Sequence, residues 1–254
     1  MSPRFETGSA THTGRVRTEN EDAHIVLPEA GLWAVSDGMG GHEAGGLASS
    51  TIVRALGSIE PQSSAARLLA ICEDCVLGAN DYLNQIGKER GGVIIGATLA
   101  VLLAQGADYI CLWAGDSRIY RIREGEIRQI SRDHTELQAL IDQRVFTPLE
   151  GKAWPRRSVI TRAIGVSPDP GLEVENGMLL GGDIFVICSD GLTEHVSDDE
   201  IAKLVTTRPS QDACDHLVAL SLERGGTDNV TVIVVRCPNS NSARSGDVSG
   251  RDWE

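Results

Sequence analysis

No stretch of this 254-residue chain is apolar for long enough to cross a bilayer. Residues 1–6 also lack the apolar region of a secretory signal. Together these absences predict a cytoplasmic protein with reduced thiols. Basic charge is scarce too: 23 Lys and Arg face 36 Asp and Glu, for a formal net charge of -13. That balance argues against sequence-blind nucleic-acid binding, which displaces counterions with basic side chains. No second cysteine pair accompanies Cys72-x-x-Cys75, which lies in a helical pattern over 65–77, so no zinc site is completed. Cys111 and Cys188 lie inside apolar strand-like runs and read as small buried hydrophobes. No repeat recurs at a fixed period. What is present, 41% hydrophobic and 23% charged residues, is ordinary for a globular chain that buries a core without staples.

Against this background one stretch stands out, Leu32-Trp33-Ala34-Val35-Ser36-Asp37-Gly38-Met39-Gly40-Gly41-His42. It starts as a buried strand and stops on a carboxylate. The glycines that follow let backbone come close to that acid. A backbone carbonyl and a carboxylate there can share a hard cation such as Mg2+ or Mn2+. A tight turn with a solvated Asp explains the same residues. The pattern recurs, however. Asp116 and Asp190 also end apolar strands beside a glycine, and Asp228 follows two glycines just before a strand. Acids converging on one sheet edge repel unless cations neutralise them. Nearby, residues 14–22 carry Arg15 and Arg17 among Glu19, Glu21 and Asp22. This is either a solvated charged loop or an anion-binding arginine beside cation-binding acids.

Helical spacing predicts helices over 43–56 and 63–86, with the Ser63-Ser64 pair as N-cap. Strands follow over 96–103 and 108–115, then a hairpin of 119–122 and 127–130 about Glu124-Gly125-Glu126. Residues 133–157 are the least regular part, with a short helix expected over 135–144. Strands over 172–175, 183–188 and 230–235 and helices over 198–206 and 210–224 complete the reading. Short turns between strands imply antiparallel pairing. Residues 1–237 are read as one domain and 238–254 as a disordered tail.

Six motifs then appear in order: Arg17-x-x-Asn20-Glu21-Asp22, Asp37-Gly38-Met39-Gly40-Gly41-His42, Gly115-Asp116-Ser117-Arg118-x-Tyr120, Asp133-His134-Thr135, Ser189-Asp190-Gly191-Leu192 and Gly226-x-Asp228-Asn229-x-Thr231. Over about residues 7–236 the chain resembles the bacterial metal-dependent serine/threonine phosphatases of the PPM family, the 2C type. The resemblance implies an α+β fold: a four-layer α-β-β-α sandwich of two antiparallel sheets flanked by helices, with a flap at about 134–157. It implies two or three Mn2+ or Mg2+ ions held by Glu21, Asp22, Asp37, the Gly38 carbonyl, Asp190 and Asp228, with Asp116 and Asp190 sharing a weaker third ion. It makes Arg17 the phosphate-binding group and places Ser189 and Asn229 behind the ligands. Direct attack by a metal-bridging hydroxide would release phosphate from phosphoserine or phosphothreonine, with no cysteine taking part. His42 is the available proton donor, since Met39 stands where animal members have histidine. The expected partners are phosphorylated proteins, among them a cognate serine/threonine kinase, in signalling or secretion control. The protein is expected to act as a monomer, without nucleic acid or membrane. Trp154, Arg156 and Arg157 mark the flap, where Trp154-Pro155 replaces a common His-Pro and Arg144 replaces a common glycine. Two rivals are a metal-dependent nuclease and a catalytically dead binding relative. The acidic charge weighs against the first and the complete set of acids against the second.

Overall fold

A computed structural model describes residues 5–40, 44–151 and 153–238. His42, Lys152 and residues 239–254 lie outside the described residues.

Two antiparallel sheets face each other. The first holds β2 (Asp22–Leu27), β3 (Leu32–Met39), β5 (Leu99–Gln105), β6 (Asp108–Ala114) and β9 (Glu173–Met178), in that order, with β4 (Gly96–Ala97) on β3. The second orders β1 (Glu6–His12), β11 (Val230–Arg236), β10 (Ile184–Cys188), β7 (Arg118–Arg123) and β8 (Glu126–Gln129). Helices α1 (Ala44–Leu56) and α2 (Ala65–Glu89) cover the first sheet; α6 (Asp198–Thr207) and α7 (Ser210–Glu223) cover the second. The four-layer α-β-β-α sandwich is therefore the observed architecture.

The run Leu32–Val35 shows why central strands read as continuous apolar runs. Successive side chains point to opposite faces. Leu32 and Ala34 pack in the core beneath α1 and α2, with Ile52, Leu56, Cys72 and Leu83. Trp33 and Val35 turn the other way and meet Phe185, Ile187, Ile233 and Val235 between the sheets. Helix α2 is a single 25-residue element whose N-cap, Ser64, accepts from Arg67 N–H at 3.3 Å. None of the described helices is long and apolar enough to cross a membrane.

Two readings of the sequence need correction. The expected strand over 96–103 is interrupted at Thr98, where Ser36 Oγ donates to the Thr98 carbonyl at 2.7 Å. Strand β1 was not expected, because Glu6–His12 is polar and largely half-exposed; its register against Val230–Arg236 makes it an edge strand.

The segment expected to form a flap holds two short helices, α3 (Glu136–Asp142), capped by Thr135, and α4 (Pro148–Gly151). A further short helix, α5 (Asp190–Thr193), follows β10.

Candidate metal centre

The ends of β2 and β3 place Asp22 directly opposite Asp37. Thr98 fixes the Asp37 backbone from both sides. Asp37 N–H donates to Thr98 Oγ1 at 3.0 Å, and Thr98 N–H donates to the Asp37 carbonyl at 2.8 Å. Thr98 Oγ1 also lies 2.7 Å from Ser117 Oγ, beside Asp116. Glycine is required at 38 by crowding: a Cβ there would fall 2.2 Å from the Gly45 carbonyl oxygen and 2.7 Å from that of Glu21. This close approach holds the Glu21 segment against the start of α1, where Ser49 Oγ donates to the Glu21 carbonyl at 2.6 Å.

Asp22 is held from behind. Its Oδ2 accepts from Ser189 Oγ at 2.8 Å and Thr231 Oγ1 at 2.7 Å. Its Oδ1 is buried with no partner, as are Glu21 Oε1 and Asp190 Oδ1. A buried acceptor left unpaired costs about 1–3 kcal/mol, and more when charged. Three such oxygens among neighbouring acids are the donor type that cations with hard oxygen preference take. Among the described residues, no three His, Cys, Asp or Glu side chains already close on one point. Cations of this class retain several waters, so a site for them does not need every position filled by a protein side chain.

The electrostatics fit that account. Burial, and after it the charges of Glu194, Asp228 and Asp22, pushes Asp190 up to about 7. Burial pushes Asp22 up to about 6, against the hydrogen bonds of Thr231 and Ser189. Asp37 rises well above the usual carboxylate range through burial and then Asp22 and Asp190. Asp116, buried after the Gly115 turn, rises through burial and then Asp190 and Asp133.

Asp228 pairs with Arg17, whose Nη2 lies 2.6 Å from Asp228 Oδ2 while the arginine side chain remains 53% exposed. Asn229 organises the preceding loop. Its Oδ1 accepts from Glu21 N–H at 2.7 Å, and its Nδ2 donates to the carbonyls of Thr13 at 2.8 Å and Glu19 at 2.9 Å.

Arg17, Glu21, Asp37, Gly38, Asp190 and Asp228 line a cavity of about 480 Å³. A second cavity of about 660 Å³ shares Asp116, Ser158 and Asp190 with it and runs beneath the flap, past Leu137 and Arg157. Asn229 lines the first cavity as well, whereas Asp22 and Ser189 line neither and lie behind the other acids. Of Trp154, Arg156 and Arg157, the last lines the second of these two cavities and the other two line neither. Arg156 is occupied by Glu136, its Nε 2.7 Å from Oε2. Trp154 packs on Phe146, with ring centroids 6.1 Å apart. Sequence reasoning missed Thr98, whose one signal was a lone hydroxyl in an apolar run, and gave Thr231 no role. The cysteines are unpaired and line neither cavity, and burial pushes Cys72 up to about 12.

Comparison with known proteins bears on this geometry. The profile of the protein phosphatase 2C family matches residues 11–221. The serine/threonine protein phosphatase PstP of Mycobacterium tuberculosis is 37% identical over 223 residues, which cover 87% of this chain and 43% of PstP. The chain thus spans less than half the length of that relative. PppA of Pseudomonas aeruginosa, described as a key regulatory component of the T6SS, superposes with a TM-score of 0.87 at 40% identity, covering 93% of this chain and all of that one. The PstP catalytic domain in complex with 2 manganese ions superposes at 0.82 with 32% identity, covering 92% and 99%.

Proposed function

The chain belongs to the protein phosphatase 2C family, and from that premise we propose that it hydrolyses phosphoserine and phosphothreonine on proteins in a metal-dependent reaction. The observation that carries the reading is the set of orphaned carboxylate oxygens on Glu21, Asp22 and Asp190 around the Asp22–Asp37 pair.

Asp37, the Gly38 carbonyl, Glu21, Asp22, Asp190 and Asp228 would hold two divalent cations, and Asp116 with Asp190 a third. Bound there, Mn2+ or Mg2+ makes water a better nucleophile and offsets phosphoryl charge. The protein's own groups do the rest. Ser189 and Thr231 hold Asp22 by one oxygen and leave the other free. Thr98 keeps Asp37 from turning away. Arg17, half-exposed at the cavity rim, would fork onto phosphoryl oxygens if a bound cation took over as the counter-charge of Asp228. The cysteine thiols, buried or outside the cavities, serve no nucleophilic step.

His42 is assigned as proton donor to the departing seryl or threonyl oxygen on the sequence alone. The substrates include a cognate serine/threonine kinase, opposed in the cytoplasm by a monomeric phosphatase. The test is release of phosphate from a phosphothreonine peptide with Mn2+, after chelation, and after Mn2+ is restored. Turnover that survives chelation rejects the metal requirement. Cleavage of DNA in place of phosphopeptide favours the nuclease reading, and binding without turnover the dead relative.

A further inference from the structure

His134 is 6% exposed and lines neither cavity. It nevertheless clamps Gly115, the residue before Asp116, at two points. Its N–H donates to the Gly115 carbonyl at 2.9 Å, and Gly115 N–H donates to its Nδ1 at 3.1 Å. A ring nitrogen that accepts carries no proton, so the neutral ring holds its proton on Nε2. That atom lies 3.4 Å from Glu173 Oε1, which also accepts from Arg162 Nη1 at 2.6 Å. The ring stacks on Trp113, with centroids 6.2 Å apart and planes at 23°. The clamped turn has little room: Gly115 has φ +108°, and a Cβ on it would meet Thr98 Cγ2 at 2.6 Å.

From the same residue a short ladder leads to the flap. Thr161 N–H donates to the His134 carbonyl at 2.8 Å, Thr135 bridges to Ile160, and Glu136 N–H donates to the Val159 carbonyl at 2.9 Å. Ser158 and Ile160 on that ladder line the cavity above the acids.

We propose that His134 is a positioning residue that locks the Asp116 turn and ties it to the base of the flap, so that binding of the weaker third cation and flap order rise and fall together. The cation half of this proposal rests on the reading of Asp116 given above. Loss of the Nδ1 acceptor leaves Gly115 N–H buried and unpaired and frees the turn.

The test compares His134→Asn, His134→Gln and His134→Ala in the full chain. The Asn Oδ1 occupies the place of Nδ1 and accepts from Gly115; the Gln amide reaches the place of Nε2 instead. Two quantities are read: the weaker Mn2+ affinity by titration calorimetry, and the rate of tryptic cleavage after Arg144 and Arg157. The Ala and Gln variants are expected to lose about tenfold in the weaker affinity and to be cut faster in the flap, as for an unpaired buried donor. The Asn variant is expected to stay close to wild type in both. If Asn and Gln behave alike, or Ala keeps both properties, His134 only fills space and the proposal is wrong. Should Ala fail to fold, the Asn–Gln comparison decides. Asp116→Ala is the control for the underlying reading. If it leaves the weaker Mn2+ site intact, Asp116 has been misassigned, and flap cleavage alone then decides whether His134 acts as a clamp.

Discussion

Asp22 and Asp37 face each other in register across the β2–β3 ladder, and Asp22 takes its hydrogen bonds from the hydroxyls of Ser189 and Thr231. Like charges directly opposite on neighbouring strands are destabilising. The two residues therefore work against the fold until a cation is present, and this sets the pH behaviour of the chelated protein. Asp22 is pushed up to about 6 and Asp190 to about 7, against about 3.9 unfolded. Between about pH 4 and 7 the native state thus holds more protons than the unfolded chain, and stability falls as pH rises through that window. Melting in EDTA should give a Tm that declines from pH 5 to pH 8, while Mn2+ raises Tm more at pH 7.5 than at pH 5.5. Asp22→Asn should flatten the decline in EDTA. A chelated Tm that climbs over this range contradicts the account.

Removing the charge of Asp37 separates stability from activity. Asp37→Asn deletes a carboxylate crowded by Asp22, Asp190, Asp116 and Asp228. The chelated variant should therefore melt at or above wild type. Turnover on a phosphothreonine peptide should fall by at least about 10²–10³-fold, the scale for a lost electrostatic stabiliser. Calorimetry should show weakened tight Mn2+ binding. A folded variant with near-native turnover excludes Asp37 from the centre.

Arg17 predicts the reverse division. Its pair with Asp228 is half-exposed, and such pairs contribute about 0–1 kcal/mol. Arg17→Ala should leave Tm nearly unchanged and lower kcat/KM on phosphopeptide by roughly 10–100-fold, about 1.4–2.8 kcal/mol of transition-state binding. Arg17→Lys should recover only part, because a point charge does not supply the two parallel donors of a guanidinium. Unchanged kcat/KM in the Ala variant means that Arg17 merely neutralises Asp228.

How far these groups could be seen in the sequence depended on locality. Asp37, Asp116 and Asp190 announced themselves because each ends an apolar run, a pattern confined to a few neighbouring residues. The long helix α2 was equally plain from its spacing. The support of Asp22 was not, since Ser189 and Thr231 lie 167 and 209 residues away and no local pattern joins them. Thr98 was hidden by the apolar run around it, which reads as one strand although a side-chain hydroxyl and a backbone carbonyl both turn toward the Asp37 segment. Edge strand β1 was lost because small polar residues obscure the alternation that a half-buried strand shows.

Within the flap, two adjacent arginines should differ. Arg156 is engaged by Glu136, whereas Arg157 lines the larger cavity with no side-chain partner among the described residues. Arg157→Ala should change the ranking of phosphopeptides that differ beside the phosphorylated residue, and leave a small aryl phosphate little affected. Arg156→Ala should alter flap order, read by proteolysis, and Glu136→Ala should reproduce it. If both arginine variants depress both substrates equally, the larger cavity does not receive the peptide.

Arg144 carries the last prediction, on the flap's own stability. Helix α3 ends with Arg144 N–H donating to the Ile141 carbonyl and Val145 N–H to the Leu140 carbonyl, both at 2.9 Å. This crossed pair is the Schellman arrangement, which needs a left-handed residue after the cap. Arg144 supplies it at φ +59°. That conformation costs an L-residue about 1–2 kcal/mol. Glycine escapes the cost but gives back about 0.4–1 kcal/mol through its freer unfolded chain. Arg144→Gly should therefore stabilise the end of α3 by roughly 0.5–1 kcal/mol. The effect is local, since a flap that opens independently of the sandwich adds little to global Tm. Amide exchange at Arg157 and Val159 is not expected to report it, because those bonds close a different turn. Exchange at Val145, whose N–H closes the outer bond of the motif, should slow by about two- to fivefold. Faster exchange there would show that the arginine side chain, rather than its backbone, determines the order of this turn.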